Sequence, residues 1–437
     1  MFWSGLWSVD AGDLLTSAYQ FLLAHAPGYP LYILIIRLIA LVTRLNYVSS
    51  GSLLSIICSV ASGFFLYRTA LLLKKKIFPL LIISIVLVLF STRLWILYSI
   101  TQEVFMVTVL FVCVINYLVL RVITTGKTSI QECMVLCVVF SFGVFHQYIL
   151  LFYVPVLIYL VIKYRSLFTR RAILVSALLL ASGFAPYLFF LRSNVTLYQP
   201  WAGTDTFSSL VKIALRENYG FLTLFDSSFT QPLGDRFSSV FLYVTAVARD
   251  WYTVLLPASL LGILLEVRSN KNKLVPLCIL YCWLALGVLL FFVYVVDHKA
   301  LFTIAIVERF YLLSYPFIFL GLVLFSNTVS QFLSKSGYMY KNAFISLMLI
   351  LSLLLALKSL RFVSLVRTNN TVELFGRETL KLLPRNSILI VSADVYRFPL
   401  EYYSFVEHIR PDITVISTSI IGVEHIFQLN KGWMNKN

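Results

Sequence analysis

Two carboxylates, Asp10 and Asp13, stand three residues apart with Gly12 between them, just ahead of a very apolar chain. A turn-rich stretch follows, His25-Ala26-Pro27-Gly28-Tyr29-Pro30-Leu31-Tyr32. On a helix this spacing puts both acids on one face, and Gly12 would equally permit a tight loop. Neighbouring acids push their pKa values apart, so one can hold a proton while the other accepts one. Acids this close to an apolar region are costly to keep and mark a functional site. From the spacing alone, a helix cap or a solvated loop fits as well. Further polar residues sit at the ends of apolar segments: Glu103, His146, Arg192, Trp201, Glu308 and Arg309.

The elements that must position these groups are membrane helices. Of the 437 residues, 60% are hydrophobic and only 12% charged, against about 45–50% and about 25% in soluble domains. The net charge of +16 lies in short runs between apolar segments, the pattern that orients membrane proteins and not the single basic face of a nucleic-acid binder. All six cysteines lie inside apolar segments and read as small packing residues. About 20 apolar residues span a bilayer. Ten such segments are expected: 51–73, 77–97, 104–120, 130–145, 148–162, 172–191, 240–265, 274–296, 302–325 and 343–360. The pair flanking Phe145 and His146 is short and could form one broken helix. Residues 31–47 carry Arg37 and Arg44 on roughly one face and read as an interfacial helix.

The basic runs at 74–76, at Arg121 and Lys127, at 163–171, at 268–273 and at Lys335 and Lys341 each follow an odd-numbered span. They therefore predict one cytoplasmic face. Asp10, Asp13, Glu103, His146, Trp201, Glu308 and Arg309 would then share the opposite face, as a single site requires. The expected organisation is a transmembrane domain over 1–362, with a first extracytoplasmic loop and juxtamembrane helix at 1–50 and a large outer loop at 192–239. A small extracytoplasmic α/β tail over 363–437 follows, with strands near 387–394 and 410–417. The tail reads as incomplete.

The first-loop pattern, Asp-x-Gly-acid then His-x-Pro-Gly-Tyr-Pro-Leu-Tyr, resembles a family of multi-pass membrane proteins within the GT-C glycosyltransferase superfamily. That family is typified by the ER O-mannosyltransferase acting on plexin-type immunoglobulin-like domains, and it has bacterial relatives. Asp13 stands where Glu is usual and Ala26 where Pro is usual. Gln102-Glu103-Val104, His146, Arg192, Tyr198-Gln-Pro-Trp201, Arg216-Glu217-Asn218-Tyr219-Gly220, Glu308-Arg309 and Arg410-Pro-Asp412 also resemble family positions. The resemblance implies a GT-C-like polytopic helical fold of about ten transmembrane helices plus interfacial helices. It expects a further helix ahead of Asp10. It implies an inverting transfer of a sugar, mannose in the family, from a polyprenyl-phosphate donor to a hydroxyl of a protein or glycan outside the cytoplasm.

Asp10 is then the expected base, and Asp13 positions the acceptor or a sugar hydroxyl. Arg309 is the expected cation for the departing phosphate, with Arg192 and His25 as further candidates. Glu103 would hold a sugar hydroxyl or a loop cation. His146 reads either as a substrate contact or as an interhelical histidine. Trp201 would stack on a sugar, or belong to the interfacial aromatic belt. The expected partners are the lipid-linked donor, the acceptor and membrane lipids, with no nucleic acid. No metal-ligand spacing, P-loop or dinucleotide fingerprint is present, and the need for a divalent metal stays open. The bacterial cytoplasmic membrane is the expected location, or the ER membrane in a eukaryote. The competing classes are a lipid or polysaccharide transporter or flippase, and an inactive GT-C-like scaffold.

Overall fold

The computed structural model describes residues 6, 8–73, 77–167, 169–191, 204, 206–217, 233–269, 273–293, 301–391 and 393–417. Helix α1 (Val9–Gln20) starts where the Ser8 hydroxyl accepts the Ala11 N–H, and it ends at Phe21 in the left-handed region. A closed turn leads to α2 (Pro30–Thr43), whose opening proline needs no backbone donor. Then come α3 (Tyr47–Leu73), α4 (Pro79–Phe90), α5 (Arg93–Ile100), α6 (Phe105–Thr125) and α7 (Ile130–His146). A Ser129–Glu132 capping box starts α7. A 3₁₀ turn (Tyr148–Tyr153) leads to α8 (Val154–Lys163), followed by α9 (Arg170–Ala181), α10 (Ala185–Leu188) and α11 (Phe207–Ala214). The second half holds α12 (Leu233–Asp250), α13 (Leu255–Ser269), α14 (Leu274–Trp283), a π turn (Leu284–Leu289), α15 (Leu290–Val293) and α16 (Leu301–Glu308). A 3₁₀ turn (Arg309–Ser314) then opens α17 (Tyr315–Ser336), and α18 (Tyr338–Thr368) follows.

Among the described residues six helices are long and apolar enough to cross a membrane, or eight if each of two bent pairs counts as one span. The differences from the sequence expectation lie at the bends. Segment 77–97 is broken between α4 and α5 by 74°, and 240–265 between α12 and α13 by 101°. Hydropathy reads such a pair as continuous because the breaks are short, Ser91-Thr92 in the first and Trp251 to Val254 in the second, and lie between long apolar runs. Residues 130–163 form two shorter helices on either side of the 3₁₀ turn at Tyr148. Helix α18 runs on past the expected boundary at 362 to Thr368. Arg37 of α2 turns inward to donate to the Ala18 and Tyr19 carbonyls at the end of α1, at 3.0 and 2.8 Å. Leu38, Leu41 and Val42 face outward.

Helix α17 is the axis of the bundle, buried from Tyr315 through Leu324. It packs along α13, while α3 packs along α6. Small residues let α13 and α17 approach: a Cβ on Gly321 would collide with Ser259, and one on Gly262 with the Gly321 carbonyl. Close backbone approach of this kind replaces the hydrophobic driving force that lipid removes.

After α18 the chain forms α19 (Thr371–Leu382), β1 (Ile388–Val391), α20 (Asp394–Glu401) with a π turn (Tyr402–Val406), and β2 (Thr414–Ser417). The two strands pair in parallel, Ile388 opposite Thr414. Asp412 joins the turns ahead of them by accepting the Asn386 N–H at 2.9 Å and the Arg410 guanidinium. This α/β unit packs α20 against α1. A Cβ on Gly12 would overlap the Phe398 carbonyl, so the third residue of the first-loop pattern is small because the C-terminal unit lies on it.

Gly321→Val is expected to wedge α13 from α17 and cost about 1–3 kcal/mol, read as a lowered melting temperature in detergent. A surface variant such as Leu382→Ala serves as the control, and equal melting of the two proteins would refute the crossing.

Candidate active site

The first loop meets the bundle through a buried ion cluster. Arg309 lies in the 3₁₀ turn between α16 and α17, where its Nε donates to the Ile306 carbonyl at 2.8 Å. Its Nη1 donates to Asp10 Oδ2 and lies 3.5 Å from Glu103 Oε2. The guanidinium sits 5.1 Å from the centroid of the Phe105 ring, a cation–π contact. Glu103 comes from the turn before α6, and its carboxyl also takes a hydrogen bond from Ser8, the cap of α1. A single cation thus joins the first loop, the α5–α6 turn and the start of α17. The side chains are largely shielded, at 16% exposure for Arg309, 21% for Asp10 and 3% for Glu103.

Burial raises the Asp10 carboxyl, but Arg309 and His25 outweigh it and hold the group below the ordinary range. Burial acts less opposed on Glu103, pushing it up to about 7 against the pull of Arg309. The two acids facing one guanidinium are therefore driven apart, the pattern that assigns different proton duties to paired carboxylates.

Asp13, one helical turn on, is fully buried. Its Oδ2 accepts both the backbone N–H of His25, at 2.8 Å, and the imidazole Nδ1, at 2.7 Å. Burial lowers the His25 imidazole, yet the hydrogen bond to Asp13 and the charges of Asp10 and Asp13 bring it out above its ordinary value. His25 belongs to a turn closed by Gly28 N–H donating to the His25 carbonyl at 2.7 Å, with a cis peptide at Ala26–Pro27. Gly28 takes φ +90°, a conformation open to glycine. Tyr187 Oη donates to the Pro27 carbonyl at 2.6 Å, fixing the turn to the bundle. The His25 ring stacks on Phe398 of α20, with centroids 6.2 Å apart and planes 17° apart.

Asp10, Asp13, His25, Glu103 and Arg309 are thus brought together. Glu308 is not among them: it points away from Arg309 and pairs with Arg93. His146 is buried behind Tyr29, ring centroids 5.8 Å apart, with Nε2 at 3.2 Å from the Val104 carbonyl. That is the interhelical role, one shell behind the cluster. Arg192 and Trp201 lie outside the described residues. Among the described residues no group of three or more His, Cys, Asp or Glu side chains is placed to hold a metal ion.

The sequence reading missed Arg93, Asp250 and the residues α20 brings. Asp250, at the end of α12, accepts the Arg93 and Leu94 N–H groups at 2.6 and 3.1 Å and also the Tyr315 hydroxyl. It caps α5 and ties both bent pairs to the start of α17. Its signal was visible as an acid inside a segment assigned to one span.

Comparison with known proteins follows the same residues. Residues 10–168 match the family model for the protein O-mannosyl-transferase TMEM260 N-terminal domain. The chain is 25% identical over 444 residues to protein O-mannosyl-transferase TMEM260 of Mus musculus, covering 95% of this chain and 60% of that protein. It is 25% identical over 456 residues to protein O-mannosyl-transferase tmem260 of Dictyostelium discoideum, covering 95% and 55%. The chain therefore spans less than two thirds of the length of these curated relatives. Crystal structures of ArnT from Cupriavidus metallidurans, bound to undecaprenyl phosphate and in the apo state, each match with a TM-score of 0.55 at 11% identity. The first match covers 94% of this chain and 85% of that one. The resemblance read from the first loop is the one these comparisons find: residues 10–168 are similar to the TMEM260 N-terminal domain, and the polytopic helical fold is similar to that of ArnT.

Because the folded protein raises the His25 pKa, it favours the imidazolium. That contribution to stability is fully present below the unfolded value, about 6.5, and is lost as pH rises through the folded value. The melting-temperature gap between wild type and His25→Asn is therefore expected to be widest near pH about 6 and to narrow on the alkaline side. A gap that widens with pH would contradict the Asp13–His25 pairing.

Proposed function

We propose that the chain is a membrane glycosyltransferase that moves a sugar from a polyprenyl-phosphate donor to a hydroxyl of a protein or glycan on the extracytoplasmic face, with inversion. Mannose is the sugar suggested by the names of its relatives. The observation that carries the reading is the Asp10–Arg309 ion pair with Glu103 beside it. Undecaprenyl phosphate bound to ArnT on the same fold supports a lipid-phosphate donor.

In the proposed step the acceptor oxygen attacks the anomeric carbon from the face opposite the phosphate. The carbon–oxygen bond to phosphate breaks, and its electron pair leaves on the phosphate. The acceptor proton passes to a carboxylate of the first loop. Asp10 is the candidate, since Asp13 is fully buried and committed to His25. Arg309 supplies the charge that receives the departing phosphate.

The ion pair gives this chemistry an order. While Arg309 holds Asp10, that carboxylate is held low and is a weak base. A donor phosphate competes for the guanidinium, and as it draws Arg309 away, burial lifts the Asp10 carboxyl toward the range of a working base. Glu103 remains beside the guanidinium and keeps it from leaving the cluster. A membrane-embedded donor can reach this point, because the cluster lies where the first loop meets the ends of α5, α6 and α17.

The test is transfer from polyprenyl-phosphate-mannose to a hydroxy-peptide in membranes. Asp10→Asn should lose about 10²–10⁴ of the rate at unchanged expression and melting. Arg309→Lys should keep the charge, lose the fork geometry and raise the donor KM. Wild-type transfer that survives Asp10→Asn would remove Asp10 as the base.

A further inference from the structure

Helices α6, α7 and α8 enclose a cavity of about 360 Å³, a size that takes a small ligand. Its wall runs from Glu132 to Phe140 along α7 and from Tyr164 to Val154 along α8, about 12–15 Å at the helical rise. The cavity is remote from the ion cluster. Helix α6 begins at Phe105, beside Arg309, and reaches the cavity between Leu118 and Val122, roughly 20–25 Å further along its axis.

The cavity is polar at one end. Arg121, Thr128, Glu132 and Tyr164 gather there, and beyond them the wall is apolar as far as Phe140 and Val154. Two hydrogen bonds hold α8 alongside α6: Tyr164 Oη donates to the Val122 carbonyl at 3.3 Å, and Tyr153 Oη to Asn116 Oδ1 at 3.0 Å. Ile158 and Ile162 line the cavity and are also 53% and 65% exposed, so the cleft opens sideways toward the bilayer.

The polar end carries cations. Lys163 is exposed and holds its Nζ 5.4 Å from the centroid of the Tyr164 ring. Arg121 pairs with Glu132 Oε1 at 2.9 Å. The other Glu132 oxygen accepts the Ser129 N–H at 3.2 Å and the Thr128 hydroxyl at 3.3 Å. Glu132 therefore keeps two donors when Arg121 turns to another anion.

We infer that the cleft between α6, α7 and α8 binds one anionic phospholipid, its fatty acyl chain in the apolar end and its phosphate head group between Arg121 and Lys163. A soluble anion would leave the apolar end unfilled. A zwitterionic lipid brings its own cation to compete for the phosphate. An amphiphile of net negative charge meets both ends, and basic pockets between membrane helices select such head groups. The site stands apart from Arg309 and does not depend on the glycosyl-transfer reading.

Native mass spectrometry and melting of the full chain in a neutral detergent test the inference. Dioleoyl phosphatidylglycerol should form a one-to-one complex and raise the melting temperature, and dioleoyl phosphatidylcholine should bind about tenfold more weakly. Inorganic phosphate should shift nothing. Lys163→Gln, at an exposed position, should weaken the phosphatidylglycerol complex about fivefold. Ile158→Trp fills the opening and should abolish the complex while melting with wild type in lipid-free detergent. Leu357→Trp, on the exposed face of α18, should leave the complex intact. Equal binding of the two lipids, or a phosphatidylglycerol complex that survives Ile158→Trp, would overturn the site. Undecaprenyl phosphate that binds more tightly than phosphatidylglycerol, and is lost in Ile158→Trp, would give the cleft to a polyprenyl carrier and overturn the acyl-chain assignment.

Discussion

The structure depends on one guanidinium. Arg309 is shielded from water and faces two carboxylates from parts of the chain about 300 and 200 residues away in sequence, Asp10 and Glu103. Ion pairs in such surroundings add little net stability, because desolvation consumes most of what attraction supplies; breaking one by removing a partner costs about 3–5 kcal/mol. A fold selected for stability alone could fill this place with apolar side chains. Keeping one cation and two acids here makes sense if the charges are exchanged with a ligand.

Much of the surrounding architecture holds that cation still. Asp250 caps α5 and accepts the Tyr315 hydroxyl, which fixes the start of α17. Arg93, the first residue of α5, takes Glu308, so Arg309 is the member of the Glu308–Arg309 pair left for the first loop. The two bent helix pairs are what bring Asp250 and Arg93 together, and the bends have a physical reason in this arrangement. A straight span would carry Asp250 through the membrane, whereas a break lets its carboxylate meet backbone donors that are themselves unpaired at a helix start. On the opposite side, the C-terminal unit presses on Gly12 and His25 and keeps α1 from tilting away.

What could be read from the residues follows from which forces are local. Apolar length is local, so among the described residues the expected spans fall mainly on helix, though six to eight of them rather than ten are long enough to cross, and a parallel strand pair lies where the apolar runs of the tail end in turns. The first-loop acids and Arg309 were legible because a charge beside an apolar run is anomalous wherever it occurs. Partner choice is not local. Glu308 and Arg309 are neighbours in sequence, but successive residues of a helical turn point apart, and only tertiary packing sends one to Arg93 and the other to Asp10. The breaks at 91–92 and 251–254 were hidden because each is only a few residues long between apolar runs. Phe398, which α20 lays against the first loop, gave no signal, because nothing in its neighbourhood of sequence links it to Gly12 or His25.

The charge balance of the cluster ties these points together. The carboxylates of Asp10 and Asp13 face Arg309 and a His25 imidazole whose pKa is raised by its acidic neighbours. Glu103, pushed up to about 7, sets the remainder. On the proposed chemistry a donor phosphodiester brings one more negative charge into a space with little water to screen it. The site can accept that charge most readily when Glu103 takes up a proton, which burial already favours. Donor binding and protonation of Glu103 are then linked, each raising the affinity for the other. On the proposed chemistry the same proton cannot sit on Asp10, whose carboxylate stays ionised to receive the acceptor proton. On that reading, holding the two acids at one guanidinium nitrogen, one more buried than the other, keeps these duties apart.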